Sequence, residues 1–197
     1  MATDIGDSVA ELGDRIQHKW VAIYIAALAV LLAICAIGAD NAAKSATRAN
    51  IEMANTYAFY QAKTLRQTAM TLAADELELS LASNPGLGDE ARRATEGKIA
   101  AYRANAARYE SEPDKREGKK ELLERAAEWR AQLDTALAQD PYFDYAQAFL
   151  QIAIVLASAS IIAGGPFLLG LSILIGGSGA ALMANGFTLA VALPYIA

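Results

Sequence analysis

From Tyr145 to the C-terminal Ala197 the chain carries no Asp, Glu, Lys, Arg or His. A bilayer accounts for such a run: a hydrocarbon layer about 30 Å thick takes roughly 20 apolar residues per helical span. Two spans fit, Ala146 to Ala163 and Phe167 to Phe187, parted by Gly164-Gly165-Pro166. A third, Val21 to Gly38, stands near the N-terminus behind Arg15, His18, Lys19 and Trp20, a basic and aromatic edge suited to the headgroup region. The overall composition, 54% hydrophobic and 20% charged with a mean hydropathy of +0.21, would suit a soluble domain. The segregation of the apolar residues into long runs decides for a membrane protein.

Between the first and second spans the chain must leave the membrane and come back. From Asp40 onward no proline occurs until Pro85 and alanine-rich helix formers dominate, which predicts that the first span continues as a helix out of the bilayer. Ile51, Ala54, Ala58, Leu65, Ala69 and Leu72 form one stripe along it, broadened by Tyr57, Phe59 and Tyr60, an aromatic group read as packing rather than as a ligand box. Ser83-Asn84-Pro85-Gly86-Leu87-Gly88 is the clearest helix breaker in the chain, and Asp89 is placed to cap a second helix. Ile99, Tyr102, Ala106 and Tyr109 line that helix, continued beyond Pro113 by Leu122, Ala126, Trp129, Leu133 and Ala136. The charge run from Asp114 to Glu124 reads as a solvated face, with Lys120–Glu124 and Glu121–Arg125 spaced for i,i+4 pairing.

Parity constrains the layout, because three equal helices would finish at the wrong end. An outgoing helix from Asp40 to Ala82 would be roughly 65 Å long and a return from Asp89 to Gln139 roughly 75 Å at 1.5 Å per residue. The expected fold is therefore an all-α membrane protein: three transmembrane helices, with a long extramembrane antiparallel helical hairpin between the first and second. Pro113 is read as a kink or short break in the return arm.

The expected order is an acidic amphipathic segment over residues 1–19, transmembrane helix 1 over 20–38, a coiled-coil-like hairpin domain over 39–140, transmembrane helix 2 over 141–163, transmembrane helix 3 over 167–187 and an apolar tail over 188–197. In the leader Ile5, Val9, Leu12 and Ile16 oppose Asp4, Asp7, Glu11 and Asp14, an acidic helix that suits a protein neighbour at least as well as lipid. Asp140 is expected to cap a restarted helix with Pro141 at its first position. Gln147, Gln151 and Ser158 share a face of the second span, suited to interhelical hydrogen bonds or, as the alternative, to a pore lining. Gly176, Gly177, Gly179 and Ala180 would let backbones approach closely, between subunits or within one chain. The tail, uncharged and apolar, is expected to be ordered against protein or to lie in the interface.

Tyr57-Ala58-Phe59-Tyr60-Gln61-Ala62-Lys63 and Phe143-Asp144-Tyr145-Ala146-Gln147-Ala148-Phe149-Leu150-Gln151-Ile152-Ala153-Ile154 resemble, in sequence and in order, a bacterial family known only as domain of unknown function four-three-three-seven. The resemblance runs from about Trp20 to Phe187. It implies membrane residence and three spans, and it carries over no catalytic residue; the membrane expected is the bacterial inner one. Members often carry basic and aromatic residues between the last two spans, which would place that turn in the cytoplasm; here Gly164-Gly165-Pro166 stands there. Arg15 and Lys19 before the first span balance Lys44 and Arg48 after it, and the family tendency tips the expected orientation to a cytoplasmic N-terminus with a periplasmic hairpin.

The formal net charge of −5 and the want of a basic stripe argue against nucleic acid as a partner. One cysteine, Cys35, and one histidine, His18, cannot assemble a disulfide framework or a zinc site within one chain. No residue is nominated as catalytic, cofactor-binding or metal-ligating, and the expectation is a non-enzymatic protein without a cofactor. Its expected partners are the lipid bilayer, other copies of itself and a larger membrane assembly. The leading role is a homo-oligomeric scaffold or accessory subunit; the alternatives are an oligomeric pore and a sensor-like input module.

Overall fold

A computed structural model describes residues 2–163 and 166–193, with side chains from residue 18 onward. The described residues form four helices and no strand: α1 (Ala2–Ser83), α2 (Asp89–Glu110), α3 (Lys119–Ala163) and α4 (Pro166–Thr188). Segments of α1, α3 and α4 are long and apolar enough to cross a membrane. The leader is helical and belongs to α1 without a break, while its amphipathic faces lie outside the described side chains. Gly164 and Gly165 of the expected turn, and Pro194 to Ala197 of the tail, likewise lie outside the described residues.

The long helix keeps a strict seven-residue repeat. Val21, Leu28, Cys35, Ala42, Ala49, Thr56 and Lys63 succeed one another at intervals of seven and all are buried. A repeat of 3.5 residues per turn, rather than the 3.6 of a straight helix, keeps one seam facing its neighbours and imposes a left-handed supercoil. Two residues along, on nearly the opposite side, a second set recurs at the same interval: Ile23, Val30 and Ile37, then Ile51, Leu65, Leu72 and Leu79 are all exposed. The stripe expected to pair helices thus points outward, and the covered face is the one that carries small and polar residues.

The chain divides into two compact units. The first comprises Met1–Ala46 and Asp134–Ala197. Its core is Leu28, Cys35 and Ala42 from α1 packed with Phe143, Ala146, Leu150 and Ala153 from α3. Small residues bring the backbones together, and Phe143 is wedged where they do: a Cβ on Gly38 would lie 2.6 Å from its Cε1 and one on Gly186 3.0 Å from the same atom. Its ring also meets that of Phe187 edge-on, at 4.8 Å between centroids. Gly176 and Gly179 are filled within the chain as well, the first against Tyr24, Leu28 and Ala153, the second against Phe149 and Leu150, whereas Gly177 faces open space. Of the two packings the small residues allowed, Gly176 and Gly179 serve the intrachain one.

Helix α3 corrects the expected restart. It runs unbroken from Lys119 to Ala163 with Pro141 inside it, so Asp140 is a mid-helix residue and not a cap. Proline removes the bond that residue 141 would give to the Leu137 carbonyl and crowds that turn. Tyr142 and Phe143, both fully buried immediately after it, hold the turn by packing. Tyr145, two residues further on, is exposed.

The second unit is Thr47–Leu133. Helix α1 ends at Ser83, and residues 84–88 turn through a bond from the Leu87 N–H to the Asn84 carbonyl. Gly88, not Asp89, occupies the N-cap of α2, with no side-chain cap. Arg103 on α2 pairs with Asp75 and Glu78, and Gln67 reaches Ala106 and Glu110, so partner numbers fall along α1 as they rise along α2. On α3, Trp129 lies beneath the Arg48 guanidinium at 6.0 Å, and Leu122 and Ala126 are buried as their stripe predicted. Of the two readings of Pro113 the break is the one formed, since residues 111–118 connect two separate helices, with Arg116 in the left-handed region at φ 53°.

Candidate functional site

The densest polar arrangement in the described residues lies in the second unit, at the connection between α2 and α3. Lys63 stands at a position of the buried repeat where every other occupant is apolar or small, with only 4% of its surface exposed. Its ammonium lies over the rings of Phe59 and Tyr109, at 5.3 and 5.4 Å from their centroids. Glu112 and Glu117 approach it at 3.6 and 3.8 Å. Charge and π-faces together replace the hydration such a group would otherwise lose on burial.

A second lysine closes the corner from the other side. Lys119 Nζ donates to Gln67 Oε1 at 2.8 Å and to Glu110 Oε2 at 3.0 Å, above the ring of Tyr60. Gln67 turns its amide to the Ala106 carbonyl and to Glu110. Glu121 ties the connection to the start of α3 by accepting from Ser111 Oγ at 2.6 Å and from the Glu112 N–H at 3.2 Å. Gly118 is required there, since a Cβ would collide with the Glu121 carboxylate and the Glu112 backbone nitrogen. The bonds from Gln67 and then Lys119 hold the Glu110 carboxyl below the usual carboxylate range, and the Ser111 hydroxyl does the same for Glu121.

Part of this corner departs from the expected solvated surface. Within the charge run, Glu117, Lys119 and Glu121 turn inward. The expected Glu121–Arg125 pair does not form, because Arg125 donates to the Arg116 carbonyl instead. Of the aromatic group, Phe59 and Tyr60 serve the two lysines while Tyr57 is exposed. The signal that could have found the site is the period itself, since Lys63 falls seven residues after Thr56 and fourteen after Ala49.

The first unit has a smaller polar network between its helices. Tyr24 on α1 donates to the Ser172 carbonyl on α4, and Ser172 Oγ donates to the Ala153 carbonyl on α3 at 2.6 Å. These two side chains, not Gln151 or Ser158, join the apolar helices: Gln151 is exposed, and Ser158 closes on its own helix at Ile154. Cys35, fully buried, donates weakly to the Phe143 carbonyl, and His18 is exposed. Asn185 lies within α4 and clasps Val191 through its carbonyl and N–H, while Tyr142 bonds Val191 and Leu193, so residues 191–193 are docked on their own chain. Beside them an apolar groove of about 840 Å³ is lined by Tyr145, Phe149, Leu182 and Val191, among others.

Among the described residues no group of three or more His, Cys, Asp or Glu is placed to hold a metal ion. What the lysine corner does chemically is hold three helical segments at fixed spacing. A profile of the family described as domain of unknown function (DUF4337) matches residues 17–189. No curated protein and no solved structure gives a significant match.

Proposed function

Because the chain belongs to the DUF4337 family, described only as a domain of unknown function, its role has to be argued from its own architecture, and we propose that it is a non-enzymatic scaffold or accessory subunit of a membrane assembly, acting as a homo-oligomer. In this reading α1, α3 and α4 each cross a bacterial inner membrane. Residues 39–140 form the helical hairpin outside the bilayer, on the periplasmic side, with the N-terminus in the cytoplasm. The observation that carries the reading is the use made of polar side chains. Lys63, Gln67, Lys119 and Glu121 each find their partners within the corner, while apolar side chains on the far face of α1 stand uncovered. An uncovered apolar row of this kind marks a surface for interaction with another protein or with the membrane.

Purification from native membranes in mild detergent, then mass and subunit analysis, tests the proposal. A stable multiple of the chain, alone or with other subunits, supports it, and a lone chain at every concentration rejects it. Orientation is tested separately by labelling cysteines introduced at Ser8 and at Gly97, the latter in open space, from each side of intact cells. Labelling of both from one side would sink the three-span layout. An oligomeric pore is the second reading, favoured by Gln151 and Ser158 facing outward on an otherwise apolar stretch of α3. Conductance in planar bilayers distinguishes the two.

A further inference from the structure

Outside the apolar span, the outward face of α1 carries Ile51, Leu65, Leu72 and Leu79 at multiples of seven residues, exposed at 54%, 72%, 61% and 68%. Ala58 occupies the remaining position of the repeat and is also exposed. Asp40, Lys44 and Arg48 separate this strip from the apolar span, so lipid does not cover it. The helix's own partners lie on the other side, where Ala49, Thr56 and Lys63 are buried. Scattered exposed leucines are ordinary on a protein surface, but a contiguous strip at a fixed interval is not.

We propose that this strip is a coiled-coil seam for a second copy of the same chain, running parallel and with like residues opposite one another. The proposal rests on the homo-oligomeric reading above and supplies its interface. Three observations select the occupant. A second copy anchored in the same membrane by the same helix runs parallel to the first. The unbroken interval of seven then brings like residue opposite like at every second turn, with no offset between the chains. Charge permits self-pairing over most of the strip: between Met53 and Ala74 the charged residues are Lys63, buried on the far face, and Arg66 at the flank, and of the acidic residues between Leu72 and Leu79, Asp75 and Glu78 are paired with Arg103, which leaves Glu76 to oppose its own copy. Area contributes as well: four large side chains at on the order of 100 Å² each supply about half of the roughly 800 Å² per partner of a stable interface, and the alanines between them add to it.

The test uses the full-length protein in native membranes. Cys35 is buried and stays in place. Leu65→Cys and Leu72→Cys, each alone, are oxidised and read by mass, with Gly97→Cys on α2 as the control. The expected result is a disulfide-linked species of twice the chain mass for the first two and none for the control. Leu65→Glu combined with Leu72→Glu, at positions too exposed to matter to the monomer fold, should weaken the dimer in mild detergent more than about tenfold, as loss of central interface residues does, while helical content by circular dichroism is unchanged. If the wild type is oligomeric and neither cysteine cross-links nor the glutamates weaken it, this seam is wrong and the scaffold reading survives. If the wild type is a single chain throughout, both fall. Linkage to a chain of different mass would assign the seam to another protein, and linkage between Ile51→Cys and Leu79→Cys in mixed samples would show opposed chains; either overturns the proposal.

Discussion

Replacing Lys63 by Met removes the buried charge while keeping most of the volume of the stem. The two ring contacts, at 5.3 and 5.4 Å, are worth about 0.5–1 kcal/mol each. Removing one member of a well-buried ion pair costs roughly 3–5 kcal/mol when its partner is stranded. Here the separations of 3.6 and 3.8 Å exceed hydrogen-bond length, and Glu117 is nearly half exposed. Glu112 also keeps Arg108 at 4.0 Å and Lys115 at 3.8 Å. The pair therefore contributes well under its upper range, and the total expected is about 2–3 kcal/mol, equivalent to roughly 30- to 150-fold in local opening. Hydrogen exchange reads it directly at three amides of the corner: Ser111, which bonds the Ala107 carbonyl, Arg116, which bonds Pro113, and Leu122 in the first turn of α3, which bonds Gly118. Faster exchange confined to these and their neighbours is the expected result. Unchanged exchange at all three in the Lys63→Met protein would refute the claim that the caged lysine holds the corner.

Protonation should act on the same amides with a definite sign. Folded-state values for Glu110 and Glu121 lie below their unfolded ones, so their contribution is complete above the unfolded value of about 4.3 and is lost as pH falls through the lowered folded values. Protection at Leu122 should stay level from pH 7 to 5 and decline only below that value. In the first unit, Gly38→Ala should destabilise the helix packing by about 1–3 kcal/mol, since the added methyl overpacks against Phe143 and Phe187; denaturant titration in detergent measures it. Gly179→Leu, which would strike Phe149 and Leu150, should impair the folded monomer rather than dissociate an intact one, as native mass analysis would show. Asn185→Ala removes both bonds to Val191 and should expose residues 189–193 to protease, with helix content retained.

The helix ends are legible in the sequence where local chemistry alone sets them. Asn84, Pro85, Gly86 and Gly88 stop α1 at Ser83, and Pro166 opens α4, one residue before the expected start. Expectation and structure part where tertiary contacts outweigh local preference. Pro141 looks like a first helical residue because nothing nearby reveals that Tyr142 and Phe143 will be buried and sustain an unbroken helix. Asp114 to Glu124 looks solvated because charge predicts exposure, and only the three-dimensional neighbourhood of Lys63 and Gln67 turns Glu117 and Lys119 inward. The apolar stripe on α1 is visible in the sequence, but the side it faces is not. Its leucines outshine the alanines, threonine and lysine of the seam that is covered, and hydrophobicity by itself cannot tell which of two faces a neighbour has taken.

The caged lysine also bears on how the chain avoids folding wrongly. A seam as uniform as Ala42, Ala49 and Thr56 would tolerate sliding by a whole repeat, a displacement of roughly 10 Å along the axis, with little change in fit. Lys63 removes that tolerance. Slid by one repeat, its ammonium would leave Glu112, Glu117 and both rings behind and stand in the seam unmatched, at a cost of several kcal/mol. Misaligned pairings are thereby raised above the native one, so the lysine, together with the close seat of Phe143 on Gly38, sets the alignment of α1 where the repeat alone would not.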